Sequence, residues 1–461
     1  MLSEWEEIRL GDVLALITKG TTPPRGKGFV DSGINFIKSE SISYDGQIDK
    51  SKFCQIDIET HEKFKRSQIQ EKDILFSMAG AFLGKNAVVA QEHLPANTNQ
   101  ALAILRIDQQ LAIPKFISFC LRNPIMVSYV NSMSAQSAQP NINFQEISSL
   151  PVKLPPLPEQ KAIAHILGSL DDKIELNRKM NETLEAMAQA MFKSWFVDFD
   201  PVIDNALAAG NTIPEELAEH AEQRKALGDK RKKLPPEIKK LFPSEFIFTD
   251  KMGWIPKGWE AKTVGDLVDT VSKTYPLKSV SKVIFLNTGD IKEGKFLHNL
   301  KSDASSLPGQ AKKSIQKGDI LYSEIRPQNK RFAFVHFDSS EYVVSTKLMV
   351  LRSKGEVDSL FTYFILKQQD KIDYLQMMAE SRSGTFPQIT FDVLSKIQIV
   401  MPEASILNDF IELLLRPIFE KSLSKDKENE TLSKLRDTLL PKLLSGELRI
   451  KDAEKLVEEV G

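Results

Sequence analysis

From Glu159 to Phe196 apolar residues recur at steps of three and four. Ile163, Ile166, Leu170 and Ile174, then Leu184, Met187, Met191 and Trp195, fall on one stripe, and Lys, Glu, Asp, Asn and Arg fill the other positions. That spacing predicts a single amphipathic helix. About 38 residues rising ~1.5 Å each make a rod of roughly 55–60 Å. The run Leu154-Pro155-Pro156-Leu157-Pro158 ahead of it reads as a rigid extended connector. A second helix is predicted from about Ile406 to Leu444, with Leu432, Leu435, Leu439 and Leu443 at the same spacing. Pro417 is expected to kink it and Pro441 to disturb its last turn. One rod cannot bury its stripe on one small lobe, whereas two rods can bury against each other as an antiparallel pair. The alternative is that each rod lies on its own lobe. If the pair forms, Leu435→Asp or Met187→Asp should loosen it.

Ahead of each rod the pattern changes to short β-type runs between turn residues. Ile34–Ile37, Ile74–Phe76, Ala87–Val89 and Ala101–Leu105 read as strands in the first half, and Val283–Leu286, Ile320–Tyr322, Ala333–Val335 and Leu348–Leu351 in the second. Helical stretches follow near 114–131 and 358–379. The expected class is α+β, each lobe having a curved, mainly antiparallel sheet.

These correspondences belong to an internal repeat. Trp5-Glu6 matches Trp259-Glu260, and the nine residues Ile69–Ser77 match Ile315–Ser323. Leu105-Arg106 matches Leu351-Arg352, Phe116–Leu121 matches Phe361–Leu366, and Asn181-Glu182-Thr183-Leu184 recurs as Asn429-Glu430-Thr431-Leu432. The offset drifts only between 245 and 254 along the 461 residues. A period this long is a tandem duplication of a whole domain with its connector, not a solenoid. Between the copies, residues 197–253 read as a linker with short helical pieces such as 214–227. Its basic run Lys230-Arg231-Lys232-Lys233 reads as solvated, with DNA contact as the alternative.

Composition narrows the function. A net charge of −1 argues against a dominant nonspecific grip on phosphates and leaves room for local basic patches. Residues 254–402 carry 21 Lys/Arg against 16 Asp/Glu, and residues 1–155 carry 16 of each, so the second lobe is the more basic. Cys54 and Cys120 are far apart and in no metal-ligand spacing, which fits a reducing cytoplasm. The first residues lack the basic and apolar regions of a signal peptide, and no window reaches the ~18 apolar residues of a membrane span.

Catalytic motifs are missing. Gly80-Ala81-Phe82-Leu83-Gly84-Lys85-Asn86 has one residue too few between its glycines for a phosphate-binding loop, and Asn86 where Ser or Thr belongs. Asp319 with Glu324-Ile325-Arg326 resembles a nuclease metal site only faintly, because the first copy has Ser77-Met78-Ala79 there; a salt-bridged strand end is the better reading. Asn123-Pro124-Ile125-Met126 is not an amino-methyltransferase motif. The six histidines are scattered, and His165 reads as an ordinary helix residue. No metal ligands are expected.

Leu154-Pro155-Pro156-Leu157-Pro158-Glu159-Gln160-Lys161-Ala162-Ile163-Ala164 resembles the start of the central conserved region in specificity subunits of type I restriction–modification enzymes. Leu439-Leu440-Pro441-Lys442-Leu443-Leu444-Ser445-Gly446-Glu447-Leu448 is similar to the end of their distal conserved region, and Gly253–Trp259 to the entry of their second target-recognition domain. The second copy departs at its helix start, with Pro402-Glu403-Ala404-Ser405 where the first has Pro158-Glu159-Gln160-Lys161. The resemblance implies two tandem target-recognition domains, 1–155 and 254–403, each followed by a long helix, 156–196 and 404–446, with a linker at 197–253 and a tail at 447–461. The helices then pair as an antiparallel coiled-coil spacer. It further implies a non-catalytic cytoplasmic subunit that reads a split, asymmetric double-stranded DNA target and docks two methyltransferase subunits, joined by restriction/motor subunits. No cofactor is expected on this chain; S-adenosylmethionine, ATP and Mg2+ are expected on the partners. Rods of this length could set two lobes against groove faces one or more turns (~34 Å) apart.

Direct reading needs Arg, Lys, Asn and Gln at base edges, so polar loops that differ between the copies are the candidates. In the first copy these are Lys19, Thr21, Thr22, Arg25 and Lys27, then Lys85 and Asn86, then Ser137 and Gln139. In the second they are Lys273, Thr274, Tyr275 and Lys278, then Arg326, Gln328, Asn329, Lys330 and Arg331, then Arg382, Ser383 and Gln388. Asn97–Gln100 and Ser345–Lys347 form a weaker pair. Each loop could instead be an ordinary surface turn, since loops drift freely. Two rival functions stay open: a stand-alone DNA-modifying enzyme, which lacks a cofactor motif, and a protein-interaction scaffold that never meets DNA, which the near-zero net charge favours.

Overall fold

The computed structural model describes residues 5–24, 27–80, 83–133, 141–231, 234–355 and 357–459. The chain forms two compact units: Met1–Lys179 with Lys425–Gly461, and Met180–Ser424. Each long helix therefore contributes one part to each unit.

In the first unit, Leu14–Lys19, Leu102–Ile107, Ile74–Ser77 and Asn86–Val88 form an antiparallel sheet in that order. Alternate residues of one strand serve two different cores. Ile74, Phe76, Ala103 and Leu105 face the helices. Leu75, Leu102 and Ile104 face a second sheet. Burial on both faces explains why these strands read as continuous apolar runs and not as alternation.

The second sheet has the order Phe29–Val30, Cys54–Ile56, Ile34–Ile37, Ala96–Thr98, with one parallel pair. The second unit repeats the first sheet strand for strand and three strands of the second, whose fourth strand lies on the opposite edge. Val268–Thr270, Leu348–Ser353, Ile320–Ser323 and Phe332–Phe334 make the first sheet, and Lys301–Asp303, Lys282–Leu286, Tyr342–Ser345 and Ala311–Ser314 the second, again with one parallel pair. Each lobe also has a two-stranded ribbon, Glu6–Arg9 with Pro151–Leu154 and Glu260–Thr263 with Gln398–Met401. The expected single sheet is thus two sheets and a ribbon.

A buried carboxylate pins each frame. Asp73 accepts two hydrogen bonds of 2.8 Å from Arg106 and one of 2.7 Å from the Gln70 amide. Asp319 does the same with Arg352, at 2.8 Å twice, and with the Gln316 amide at 2.8 Å. The faint nuclease reading of Asp319 ends there, as a salt-bridged strand end.

The long helices, Leu157–Phe196 and Arg416–Ser445, pair within each unit. In the first, Ile163, Ile166 and Leu170 share a core with Leu432, Leu439 and Leu443, while Ile174 and Leu435 pack at its margin. Asp171 accepts from Arg436 at 2.9 Å, and Asn177 donates to Asn429 at 3.0 Å, so one helix ascends as the other descends. In the second unit Asn181 Nδ2 donates to Ser422 O at 3.2 Å, and Phe192 and Trp195 pack on Phe410 at the end of helix Ala404–Phe410, which leads into the second rod, with Met191 at the edge of the same core and Leu184 half-buried. Phe116, Ile117 and other lobe residues join the core of the first pair, so each rod faces both its partner and a lobe.

Met187 corrects the expected stripe, being 44% exposed. The covered line runs through Asn181, Leu184, Ala188, Phe192 and Trp195, and a residue one position before Ala188 lies ~100° round the helix. Met187→Asp should leave the unfolding free energy read from urea titration almost unchanged, within about 0.5 kcal/mol. Leu439→Asp, which buries an unpaired carboxylate, should lose several kcal/mol. Equal losses for the two variants would contradict this assignment.

Where a kink at Pro417 was expected, the chain has a π-helical turn, Ile411–Leu415, that ends two residues before it. Widening that turn makes room for the ring against the carbonyl four residues back. Contrary to expectation the helix continues past Pro441 to Ser445; this close to a helix end one missing N–H costs little.

The segment after Phe196 is packed, not an open linker. Asp200–Ala209 buries Val202, Ile203 and Ala206, and Phe242 meets Trp195 edge-on at 5.0 Å. Glu215–Ala226 is the helix expected near 214–227. Arg231 of the basic run is tied to Asp204 at 3.1 Å, while Lys232 and Lys233 lie outside the described residues.

Candidate nucleic-acid interface

In the second lobe strand Ile320–Ser323 delivers the chain to a turn bracketed by two left-handed residues, Arg326 with φ 45° and Lys330 with φ 52°. Pro327–Asn329 forms one 3-10 turn between them, and the Asn329 amide donates to Arg326 O at 2.8 Å. The turn is held from outside. The Arg326 amide donates to Pro387 O at 3.2 Å, Ile325 pairs with Gln388, and the Ile389 amide donates to Glu324 O at 2.9 Å. Gln376 Oε1, on helix Gln369–Arg382, accepts from the Gln328 amide at 3.2 Å.

Two of the predicted loops therefore meet, 326–331 and 382–388, and Lys347 joins them. Its Nζ lies 3.5 Å from Gln388 Oε1 and 3.8 Å from Glu324. Arg326, Gln328, Asn329, Arg382 and Ser383 are exposed; Lys330, Arg331 and Gln388 are half-buried. Arg331 donates to Thr288 Oγ1 at 3.4 Å and Arg382 to Thr390 Oγ1 at 3.3 Å, both long contacts that leave further donors.

The stretch with Lys273, Thr274 and Lys278 exposes all three. It runs beside Ala311–Ser314, the Tyr275 amide donating to Lys312 O at 2.7 Å. Tyr275 itself is a correction: its ring is buried among Val283, Ala311 and Val343, and its hydroxyl donates to Ser340 O at 2.7 Å. It anchors the loop from below. Lys313 was not foreseen. Burial pulls its ammonium below the usual lysine range, and Lys347 repels it, against the attraction of Glu324; it donates to Thr346 O and Leu348 O at 3.0 and 2.8 Å.

In the first lobe Lys19 is exposed at a strand end, followed by Gly20 packed on the backbone of 98–99. A Cβ on Gly20 would lie 2.1 Å from Thr98 O, so only glycine fits. The Thr21 amide donates to Thr98 O at 2.9 Å and the Thr22 hydroxyl to Gln100 Oε1, which joins the weaker pair Asn97–Gln100 to the Lys19–Lys27 loop. Thr22, Lys27 and Gln100 are exposed and Thr21 is half-buried. Lys85 lies over the Tyr44 ring, 4.9 Å from its centroid, and burial followed by repulsion from Lys52 lowers its pKa.

Asn86 is a second correction. It is fully buried and accepts from the Ser118 hydroxyl at 2.7 Å, so it fixes a helix to the sheet. Arg25, Ser137 and Gln139 lie outside the described residues. Gln376 is the functional candidate that loop-by-loop reading missed, because its role depends on a helix folding back onto a distant turn.

The arrangement offers donors and acceptors of the kind that read polar edges. Among the described residues no group of three or more His, Cys, Asp or Glu could hold a metal ion, and no helix is long and apolar enough to cross a membrane.

A doubled mixed α/β lobe, with divergent polar loops on a repeated frame and paired long helices, defines a two-part recognition protein. The chain belongs to the type I restriction modification DNA specificity domain family, whose model matches residues 2–186 and 256–416. It is 28% identical to the type I restriction enzyme HindI specificity subunit of Haemophilus influenzae, over 97% of this chain and 100% of that one. It is 25% identical to the MjaIX specificity subunit of Methanocaldococcus jannaschii, over 78% and 74%. In fold it is similar to the crystal structure of a type I restriction-modification system S subunit from M. genitalium, with TM-score 0.50, 14% identity, and 95% and 96% of the two chains covered.

Proposed function

We propose that this chain is the address-reading, non-catalytic subunit of a type I restriction–modification complex. Each lobe reads one part of a bipartite, asymmetric double-stranded target. The helix pair carries two methyltransferase subunits and, through them, the restriction/motor subunits. The partners hold S-adenosylmethionine, ATP and Mg2+. In this reading 1–155 and 254–403 are the target-recognition domains, 156–196 and 404–446 the spacer helices, 197–253 the connecting segment and 447–461 the tail, and the complex works in the cytoplasm.

One observation carries the reading. The two lobes share the strand order of the first sheet, three strands of the second, an Asp–Arg pin and turn hydrogen bonds, and differ at the polar loops those frames present. Replacing Lys19, Lys27, Lys273 and Lys278 together with Ala should weaken duplex binding by the chain with its methyltransferase partner at least tenfold at ~0.1 M salt, and flatten the salt dependence. Affinity for a selected duplex no better than for a random one at matched salt would defeat the proposal. Methyl transfer or cleavage by the chain alone, given S-adenosylmethionine and Mg2+, would favour the enzyme reading.

A further inference from the structure

The two lobes frame a turn at the same place with matching hydrogen bonds and opposite side-chain economy. After Ser77 the first lobe places Gly80 at φ 72° and Gly84 at φ 83°. At the repeat-equivalent positions, 246 residues on, the second lobe places Arg326 at φ 45° and Lys330 at φ 52°.

The backbone frame is the same in both. Ser77 N donates to Lys85 O at 2.7 Å and Ser323 N to Arg331 O at 2.9 Å. Leu83 N donates to Gly80 O at 3.1 Å and Asn329 N to Arg326 O at 2.8 Å. Met78 N donates to Ala101 O and Glu324 N to Lys347 O. Ala79 bridges Asn141 as Ile325 bridges Gln388. This frame needs left-handed backbone at two positions. Glycine meets that need freely, whereas a residue with a Cβ is strained there. The second lobe carries strain that glycine would relieve, at two positions of one turn, both times with a cationic side chain. Strain kept where a cheaper residue fits marks a side chain that is itself required.

Neither cation has a side-chain partner among the described residues. Among the described residues no carboxylate lies within ion-pair distance of the Arg326 guanidinium or the Lys330 ammonium, and Arg326 is exposed. The turn is also kept from moving, by Gln376 on the Gln328 amide and by Pro387 on the Arg326 amide. A rigid turn that aims a guanidinium outward suits bidentate contact with the O6 and N7 edge of guanine, and an ammonium four residues on suits a backbone phosphate.

We infer that Arg326 and Lys330 are the specificity-determining and phosphate-clamping residues of the second lobe, placed by a strained turn that the first lobe builds with glycine and uses differently. The inference rests on the reading of the lobes as DNA-contacting surfaces.

The test uses the full chain with its methyltransferase partner, a duplex that this assembly selects from a random-sequence pool, and copies of that duplex with either half shuffled. Arg326→Gly should lose roughly 5–150-fold in preference for the second lobe's half-site. Lys330→Gly should weaken selected and shuffled duplexes alike and make the salt slope shallower by about one. Both glycine variants should melt at or above the Tm of the unchanged chain. Arg326→Ala and Lys330→Ala should bind as weakly as the glycine variants without the gain in Tm. Unchanged affinity and preference in the glycine variants overturns the inference and leaves the DNA-reading proposal standing, as does a fall in their Tm, which would make the side chains structural. If the unchanged assembly binds selected and shuffled duplexes equally, both fall.

Discussion

Asp171→Ala is expected to cost the first unit about 3–5 kcal/mol, the range for removing one member of a buried charge cluster. Asp171 sits between two guanidiniums, with Arg122 Nη1 at 2.7 Å and Arg436 Nη1 at 2.9 Å. The three side chains keep only 6%, 8% and 11% of their surface. Burial alone would pull the Arg436 guanidinium down, and the Asp171 carboxylate outweighs that and leaves it raised. Without the carboxylate two like charges stay in a nearly dry site. Arg436 keeps Asp437 at 2.8 Å, whereas among the described residues Arg122 keeps the face of Phe119 and no second carboxylate, so Arg122 is the more exposed to the loss. Asp171→Asn retains an acceptor and should lose less. Urea unfolding reads both, and a loss below about 1 kcal/mol for Asp171→Ala would mean that water reaches the arginines and that the cluster is not a structural tie.

Phe410→Ala should destabilise the second unit by about 3–5 kcal/mol, the cost of a large ring removed from a packed core. Phe410 is fully buried, with the rings of Phe196, Trp195 and Phe192 at 4.7, 5.1 and 6.2 Å. All three neighbours lie on the first long helix, so the cavity opens in the helix pairing itself. Phe410→Leu should lose clearly less. A small change for Phe410→Ala, with an unchanged urea m-value, would show that the surrounding rings collapse into the space.

The parts of this architecture with strong local signals were legible in the sequence. The long helices have a 3.6-residue stripe over many turns, and the strands around Ile74, Leu102, Ile320 and Leu348 are apolar runs bounded by turns. The repeat made each reading count twice. What stayed hidden depends on contacts remote in sequence. Phe29–Val30 and Cys54–Ile56 are too short for any period to show. Asn86 and Tyr275 look like loop residues until Ser118 and Ser340 arrive from elsewhere to satisfy them. Met187 satisfied a step rule that tolerates an error of one residue at the stripe's edge. The segment after Phe196 reads as polar because Phe199, Val202 and Phe242 are spread thinly along it and matter only once they share a core with Trp195 and Trp259. Of the candidate site, sequence reading named loops but not which of them meet: 326–331 lies against 382–388 through the Ile325–Gln388 bridge and the Arg326 amide on Pro387 O, contacts remote in sequence.

The two Asp–Arg pins have an evolutionary consequence. Asp73 and Asp319 each tie a tight turn to a neighbouring strand through groups that belong wholly to the frame. Because that lock takes nothing from the loops' side chains, the loops are free to be rewritten by mutation or recombination while the scaffold still folds. Such a chain can acquire a new address in a single genetic event.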